Sequence, residues 1–288
     1  MSAPTVLVTG GTGGIGAVVA TAMAAGGAHL LVTGRDGRRG EVAADTLLAA
    51  GASGAEFLAV DHADVARTAA LGRSLTARLG RLDVLVANAG VMPAHRIRTP
   101  EGLDVEIAVD VVGVVALVDA LRPLLHAAPA GRVVLVISGA ALHGSPPALE
   151  DDPWGEAPGA TMRSYARAKR AKLALAAGLA VEEGGSGVVV HAAAPGPAWT
   201  PMTRSLDRHA LGMSPPAWWM VRAVQRLGSP ARAARCVVAA ATGPDHASPG
   251  GLLVGARGAR AIPVRREEAA SVLSRARAMA RAAGQAHG

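Results

Sequence analysis

The sequence predicts an α/β fold: one doubly wound parallel sheet of about seven strands flanked by helices. Three observations support this. Short apolar runs alternate with longer segments of helical period, the pattern of a βαβ series. Runs such as Val133-Val134-Leu135-Val136-Ile137 are apolar without a break, as strands buried on both faces must be. The chain of 288 residues is 50% hydrophobic and 18% charged, large enough to bury a core and too apolar for disorder. Strands are expected at 4–9, 28–34, 55–60, 82–88, 132–138, 187–194 and 252–255. Helices are expected at 14–26, 36–50, 64–79, 101–127, 161–183, 230–242 and 266–283. Two stretches break the rhythm: 139–160, rich in Gly, Pro and acidic residues, and 195–229, rich in Pro, Met and Trp. Long irregular segments of this kind are more often functional loops than accidents. There is no internal repeat and no linker, so a single domain over 1–288 is expected.

Composition excludes several function classes. The net charge is +7, yet the arginines are scattered and lack the aromatic interleaving of a single-strand platform, so no nucleic-acid partner is expected. Met1-Ser2-Ala3-Pro4 runs into an apolar strand without a basic flank, and no apolar run reaches bilayer length, so neither signal peptide nor membrane span is expected. The one cysteine, Cys236, can form no intramolecular disulfide and reads as a small buried apolar side chain, which makes the cytoplasm the default location. His143 with Asp151 and Asp152 lacks metal-ligand spacing, and no metal is expected. Against an Ala-, Gly-, Arg- and Val-rich background the rare residues stand out: Tyr165 is the only tyrosine, Asn88 the only asparagine, and Lys169 and Lys172 the only lysines.

The first strand runs into Thr9-Gly10-Gly11-Thr12-Gly13-Gly14-Ile15-Gly16 and then directly into an Ala-rich helix. Glycines at such a turn permit positive φ and bring backbone amides against a pyrophosphate, which the helix N-terminus stabilises. Strand before and helix after make this a Rossmann-type dinucleotide site with Gly10, Thr12, Gly13, Gly14, Ile15 and Gly16 at the phosphates. The second strand ends without an acid for the adenosine ribose. Arg35 follows at once, with Arg38 and Arg39 on the next turn, either to hold a 2′-phosphate or as solvated arginines at a helix start. Arginine is the bidentate phosphate residue, so NADP(H) is expected in preference to NAD(H). Asp61, after the third strand, belongs near the adenine, and Asp64 caps the next helix.

Tyr165-Ala166-Arg167-Ala168-Lys169 lies in an expected helix, so phenol and ammonium share one face. A nearby cation stabilises phenolate and turns the tyrosine into a general acid or base. Ser138 ends the fifth strand at the carboxyl edge of the sheet, where such sheets bind ligands. Its hydroxyl either bonds the substrate oxygen or merely terminates the strand. Asn88, in Ala87-Asn88-Ala89-Gly90-Val91, ends the fourth strand, and its amide either links sheet and cofactor or only stabilises the turn. Pro195-Gly196-Pro197-Ala198-Trp199-Thr200 ends the sixth strand with a rigid turn and a hydroxyl for the nicotinamide carboxamide.

In this order, the glycine loop, Asn-Ala-Gly, strand-end Ser, Tyr-x-x-x-Lys and Pro-Gly-x-x-x-Thr resemble the short-chain dehydrogenase/reductase family over nearly the whole chain. The resemblance implies that Tyr165 exchanges a proton with a carbonyl or alcohol oxygen, that Ser138 orients that oxygen, and that Lys169 binds the nicotinamide ribose and assists the tyrosine. It also implies contacts from Asn88, Ala89, Gly90, Pro195, Gly196 and Thr200 to the cofactor. Ser138 and Tyr165 lie 27 positions apart, against roughly a dozen in commoner members. Together with the segment 262–283, that spacing resembles the retinol dehydrogenase-like branch without its membrane anchor. Two positions depart from the family pattern. Asp110 stands where the family has a catalytic Asn; it holds a relay water while opposing phenolate by like charge, or it is simply a buried, satisfied acid. Ile137 replaces a serine and reads as packing.

All four tryptophans, Trp154, Trp199, Trp218 and Trp219, fall in the two interruptions. With Met202, Met213 and Met220 they form either an apolar pocket wall or a lid helix packed on the domain. The expected activity is an NADP(H)-dependent oxidoreductase acting on a small apolar carbonyl or alcohol beneath an extended substrate lid. The alternatives are an NADP(H)-binding sensor and a non-redox, dehydratase- or cyclase-like use of the site. By resemblance, a homo-oligomer paired through the helices before and after the Ser138 strand is expected.

Overall fold

A computed structural model of the chain describes residues 3–142, 161–204, 208, 213–243 and 251–285. Eight strands form one sheet in the order β3-β2-β1-β4-β5-β6-β7-β8. They are β1 (Thr5–Val8), β2 (His29–Gly34), β3 (Gly54–Ala59), β4 (Val84–Ala87), β5 (Arg132–Val136), β6 (Val189–Ala194), β7 (Leu252–Gly255) and β8 (Gly258–Ala261). All neighbours pair in parallel except β7 and β8, which form an antiparallel hairpin. The order reverses between β1 and β4, and a doubly wound sheet opens its ligand crevice at such a switch point.

The strands alternate apolar residues toward two cores. Leu7, Leu31, Leu85, Val133 and Leu135 join one cluster, whereas Val6, Val8, Leu30, Val32, Val86 and Val134 join the other. Because successive side chains point to opposite faces, an unbroken apolar run is what a sheet covered on both sides requires. Helices α1 (Gly14–Ala25), α2 (Gly37–Ala49) and α3 (Val65–Arg78) connect the first strands. Asp36 and Asp64 cap α2 and α3 by accepting the backbone N–H groups of Arg39 and Arg67.

The helix expected at 101–127 is composite. A short α4 (Val105–Ile107) passes into a π-helical turn at Ala108–Val112 and then into α5 (Gly113–His126). The Gly113 N–H reaches back five residues to the Ala108 carbonyl. The wider turn leaves no room for a side chain at Gly113, where a Cβ would lie 2.9 Å from the Ala108 carbonyl oxygen and 3.0 Å from that of His62. Such turns recur at functional sites because the extra residue re-aims a side chain. The side chain displaced inward here is Asp110.

Beyond α6 (Thr161–Glu182), the stretch expected to be irregular at 195–229 contains two helices, α7 (Pro201–Arg204) and α8 (Pro215–Leu227), before α9 (Pro230–Thr242). The final helix, α10 (Arg266–Gln285), packs on α6 and α5. The Arg277 guanidinium donates to Asp119 of α5 at 2.7 and 2.8 Å and to Glu182 of α6 at 2.7 and 3.0 Å. Burial raises the Glu182 carboxyl, but its bonds from Arg277 and Arg122 outweigh this and hold it at about 2. No helix among the described residues is long and apolar enough to cross a membrane.

Gly178 sets how closely α6 and α10 approach, since a Cβ there would fall 2.8 Å from the Ala269 carbonyl oxygen and 3.1 Å from the Leu273 Cβ. In an exposed helix Gly→Ala stabilises by about 1 kcal/mol. Here the expected sign is reversed: Gly178→Ala lowers stability by about 1–2 kcal/mol through overpacking, read as a fall in the urea midpoint at unchanged slope. A raised midpoint would show that α10 does not press on α6.

Candidate active site

The crevice at the sheet switch point is a cavity of about 790 Å³. Its lining includes Gly10, Thr12, Gly13, Gly14, Ile15, Arg35, Asp61, Asn88, Ala89, Gly90, Ser138, Tyr165, Lys169, Pro195, Gly196 and Thr200. Of the catalytic and nucleotide-binding residues expected from sequence, Gly16, Asp110 and Arg38 are absent from this lining.

The glycine loop is shaped by its own backbone and by the neighbouring strands. Gly10 and Gly14 have φ of +64° and +57°, conformations that L side chains rarely adopt. Asn88 Nδ2 donates to the Thr9 and Gly10 carbonyls at 2.9 and 3.3 Å, and the Ala89 N–H donates to Thr9 Oγ1 at 2.9 Å. Any side chain at Gly16 would collide with both the Asn88 amide and the Gly10 carbonyl. The loop is therefore tied to the end of β4, and the lone asparagine cross-links the two strand ends.

A second tie runs through residues that sequence reasoning missed. The Gly10 N–H donates to Thr33 Oγ1 at 3.2 Å, and Thr33 Oγ1 lies 2.7 Å from His62 Nε2. Thr68 Oγ1 donates to the Asp64 carbonyl and sits 3.4 Å from His62 Nδ1. The network is satisfied when Thr33 donates to an unprotonated Nε2 and Nδ1–H donates to Thr68, which assigns a neutral imidazole. Burial, reinforced by Lys172 and opposed by Asp61, lowers the His62 pKa to about 4. A histidine three residues past a strand carries no sequence signal that separates this role from an ordinary loop histidine.

At the adenosine end, Arg39 donates to the Thr12 carbonyl at 3.3 Å. Its guanidinium lies over Gly13, where a Cβ would be 2.7 Å from Nη2. Arg35 faces Asp61 at 3.9 Å with 72% of its side chain exposed, so the pair is loose. Arg38 is not part of the cavity lining.

At the other end, α6 places Tyr165 and Lys169 on one face, with the ammonium 5.4 Å from the ring centroid. Lys169 is 3% exposed, Lys172 is fully buried, and Asp110 is fully buried. Asp110 Oδ1 accepts from Lys169 Nζ at 2.8 Å and from Lys172 Nζ at 2.9 Å, and Lys172 also donates to the Ala89 carbonyl at 3.1 Å. Burial pushes the carboxyl up, but the two ammonium groups outweigh it and hold Asp110 below its ordinary range. Burial also lowers Lys169, yet Asp110 more than compensates and raises it, whereas burial prevails at Lys172 and brings it down to about 8. Gly90 makes room for this group: a Cβ there would lie 2.8 Å from Lys169 Nζ. Ser138 Oγ accepts the Ala140 N–H at 3.2 Å, which leaves its own proton to donate. Thr200 stands against the loop, its side chain 3.6 Å from where a Gly14 Cβ would be. Ile137 is buried in the core and also borders the cavity.

The apolar wall holds part of the expected tryptophan and methionine set. Met92, Met162 and Met202 line the cavity, and Met213 and Trp218 pack with them and with Tyr165. Trp199 and Trp218 instead sandwich Arg222, at 4.3 and 5.0 Å from its guanidinium carbon, while Trp219 and Met220 are mostly exposed. Trp154, His143, Asp151 and Asp152 lie outside the described residues. Cys236 is buried, with burial pushing its thiol up to about 11.

Three comparisons bear on this geometry. The short chain dehydrogenase family matches residues 4–149. A Streptomyces lividans protein described as a "Probable oxidoreductase" is 35% identical over 202 residues, covering 70% of this chain and 66% of that one. Bovine dehydrogenase/reductase SDR family member 13, from the retinol dehydrogenase-like branch, is 32% identical over 229 residues, covering 76% and 58%. The chain thus spans two thirds or less of the length of these relatives. A solved short chain dehydrogenase from Burkholderia cenocepacia, in complex with NADP, superposes with a TM-score of 0.68 at 28% identity over 88% of this chain and 96% of its own.

The neutral state of His62 has a measurable consequence. Its pKa is about 4 when folded and near 6.5 when unfolded, so unfolding takes up a proton between those values. The stability His62 contributes is complete above pH 6.5 and lost as pH falls toward 4, roughly 3 kcal/mol. Glu106, which burial raises to about 8, acts with the opposite sign. Comparing thermal unfolding of the protein and His62→Gln from pH 7 to pH 4 isolates the histidine: the variant is expected to lose this acid limb. An unchanged limb would place the proton uptake elsewhere.

Proposed function

Since the chain belongs to the short-chain dehydrogenase/reductase family, we propose that it is an NADP(H)-dependent oxidoreductase that interconverts an apolar carbonyl and its alcohol. The observation that carries this reading is the convergence of Tyr165, Lys169 and Ser138 with the glycine loop and a methionine-rich wall on one cavity. The loop residues fit a dinucleotide: Gly10 and Gly14 take positive φ, and Gly13 has no side chain beneath the Arg39 guanidinium, so the backbone of the turn faces the cavity. Gly10, Thr12, Gly13, Gly14 and Ile15 would hold the pyrophosphate, backed by Gly16. Asn88, Ala89, Gly90, Lys169, Pro195, Gly196 and Thr200 would line the nicotinamide half, with Asp61 near the adenine. The loose Arg35–Asp61 pair and the Arg39 guanidinium favour a 2′-phosphate, which Arg35 binds at little cost in lost partners.

The bound cofactor supplies or accepts the hydride. In reduction, Tyr165 Oη gives its proton to the carbonyl oxygen, and in oxidation the phenolate takes that proton back. Ser138 donates a hydrogen bond to the same oxygen and holds it near Tyr165. Lys169 stabilises the phenolate by its charge. Met92, Met162 and Met202 exclude water and favour an apolar substrate through adaptable thioether contacts.

The reading places the protein in the reducing cytoplasm, which suits a chain whose single cysteine is buried. A homo-oligomer would not use the faces of α5 and α6 that α10 covers.

Nucleotide binding followed by tryptophan fluorescence, then cofactor oxidation with a panel of apolar aldehydes and ketones, tests the proposal. Tyr165→Phe is expected to lower kcat by about 100-fold or more while NADPH affinity stays near that of the unaltered protein. Tight binding without oxidation across the panel would instead favour a sensor or a non-redox use of the site. The paired substitution Arg35→Ala/Arg39→Ala is expected to weaken NADPH roughly tenfold or more and leave NADH unaffected. Equal losses for both nucleotides would remove these arginines as the selector.

A further inference from the structure

Lys172, one of the two lysines of the chain, has no place in the proton transfer described above. It does not line the cavity, so it touches neither substrate nor nucleotide, yet it is fully buried with its ammonium on Asp110 Oδ1 and the Ala89 carbonyl. A buried ammonium is costly to desolvate and persists only where a charge repays it. The repaying charge is Asp110, which stands inside the π-helical turn, its Oδ1 shared by two lysines and its Oδ2 buried with no hydrogen-bond partner among the described residues. A carboxylate with Lys169 alone sums to zero, and the phenolate of Tyr165 would gain little from that pair. At neutral pH, where Lys172 keeps its proton, the group with Lys172 sums to +1, the charge that an uncharged residue at position 110 would leave on Lys169 by itself.

We propose that Lys172 is a positioning residue whose ammonium neutralises Asp110 and so leaves the charge of Lys169 to act on Tyr165. This rests on the reading of Tyr165 as the proton-transferring group. Among the described residues, the titratable groups facing this cluster are Lys169 and Tyr165 on α6, Glu106 on α4, and His62 beyond β3. Asp104 and Arg167 act on Glu106, and Asp61 acts on His62. With its raised pKa Glu106 is largely protonated at neutral pH, and His62 is uncharged there, so neither substitutes for Lys172.

Tyr165 is the only tyrosine in the chain, so near-ultraviolet tyrosinate absorbance reports on this position alone and needs no turnover. The titration is compared in the unaltered protein, Lys172→Met, Asp110→Asn and the double variant. Phenolate formation is expected about one pH unit higher in Lys172→Met and at lower pH in Asp110→Asn, and the double variant is expected to return to the wild-type position. The acid limb of the pH profile for alcohol oxidation is expected to move in parallel. A merely structural lysine would destabilise the variants without opposite shifts and without restoration. An unmoved titration in Lys172→Met, or a double variant that fails to return, overturns the proposal. If Lys172→Met does not fold, Asp110→Asn decides alone, since the proposal requires a shift to lower pH. The two readings fail separately: ordered titrations with turnover insensitive to Tyr165→Phe would sink the proton-transfer reading and keep the coupling. Turnover lost in Tyr165→Phe with unordered titrations would do the reverse.

Discussion

One buried carboxylate determines much of this molecule's inner architecture. Asp110 has no contact with solvent, and a carboxylate in that position survives only if cations meet it at hydrogen-bond distance. Both lysines of the chain are spent on it, from successive turns of α6. Their contacts join three elements that the chain keeps far apart: the π-helical turn ahead of α5, the strand-end loop after β4, and α6 itself. The small residues around the pair follow from it. Gly90 must be bare because Lys169 occupies the space of its Cβ, and Gly113 must be bare because the wide turn crowds against the His62 carbonyl in the loop after β3. The same constraint orients Lys169 beneath Tyr165, so the electrostatics of the proposed chemistry and the packing of the helices share one cause.

The glycine loop obeys a comparable logic with neutral groups. Its backbone is held from one side by Asn88 and Thr9 and from the other by Thr33, which His62 in turn supports. A loop clamped this way arrives at a ligand already ordered, and ordering that need not occur on binding does not weaken affinity. Keeping His62 uncharged belongs to the same design, because a protonated ring would present a second donor to a hydroxyl that already has one.

Much of this was legible in the chain, and what was not has physical reasons. The placement of the Gly10–Gly16 turn and of the Tyr165–Lys169 pair is legible because it follows from local spacing: a strand-to-helix turn and one helical face. Asn88, Ser138 and Thr200 were readable because strand ends in this topology converge on one edge of the sheet. The partnership of Lys172 with Asp110 was not, since it spans 62 positions and depends on a π-helical turn with no sequence mark. The Thr33–His62 tie is also a long-range pairing of ordinary residue types. Strand β8 escaped notice because Gly258-Ala259-Arg260-Ala261 is an exposed edge without alternation. Helix α8 escaped because Pro215 and Pro216 resemble loop punctuation but occupy the first turn of a helix, where proline is tolerated. Proximity in sequence puts the tryptophans of that region on the substrate side, but only Trp218 packs with the methionines there, and Trp199 and Trp218 hold Arg222 between them.

The charge on Asp110 is the claim from which the rest descends, and infrared difference spectroscopy between the protein and Asp110→Asn reads it directly. The account predicts an ionised carboxylate stretch that vanishes in the variant and is constant across neutral pH, as expected for a carboxyl held low by two ammonium groups. A protonated carboxyl band at neutral pH would contradict it, because Lys172 would then have no charge to neutralise.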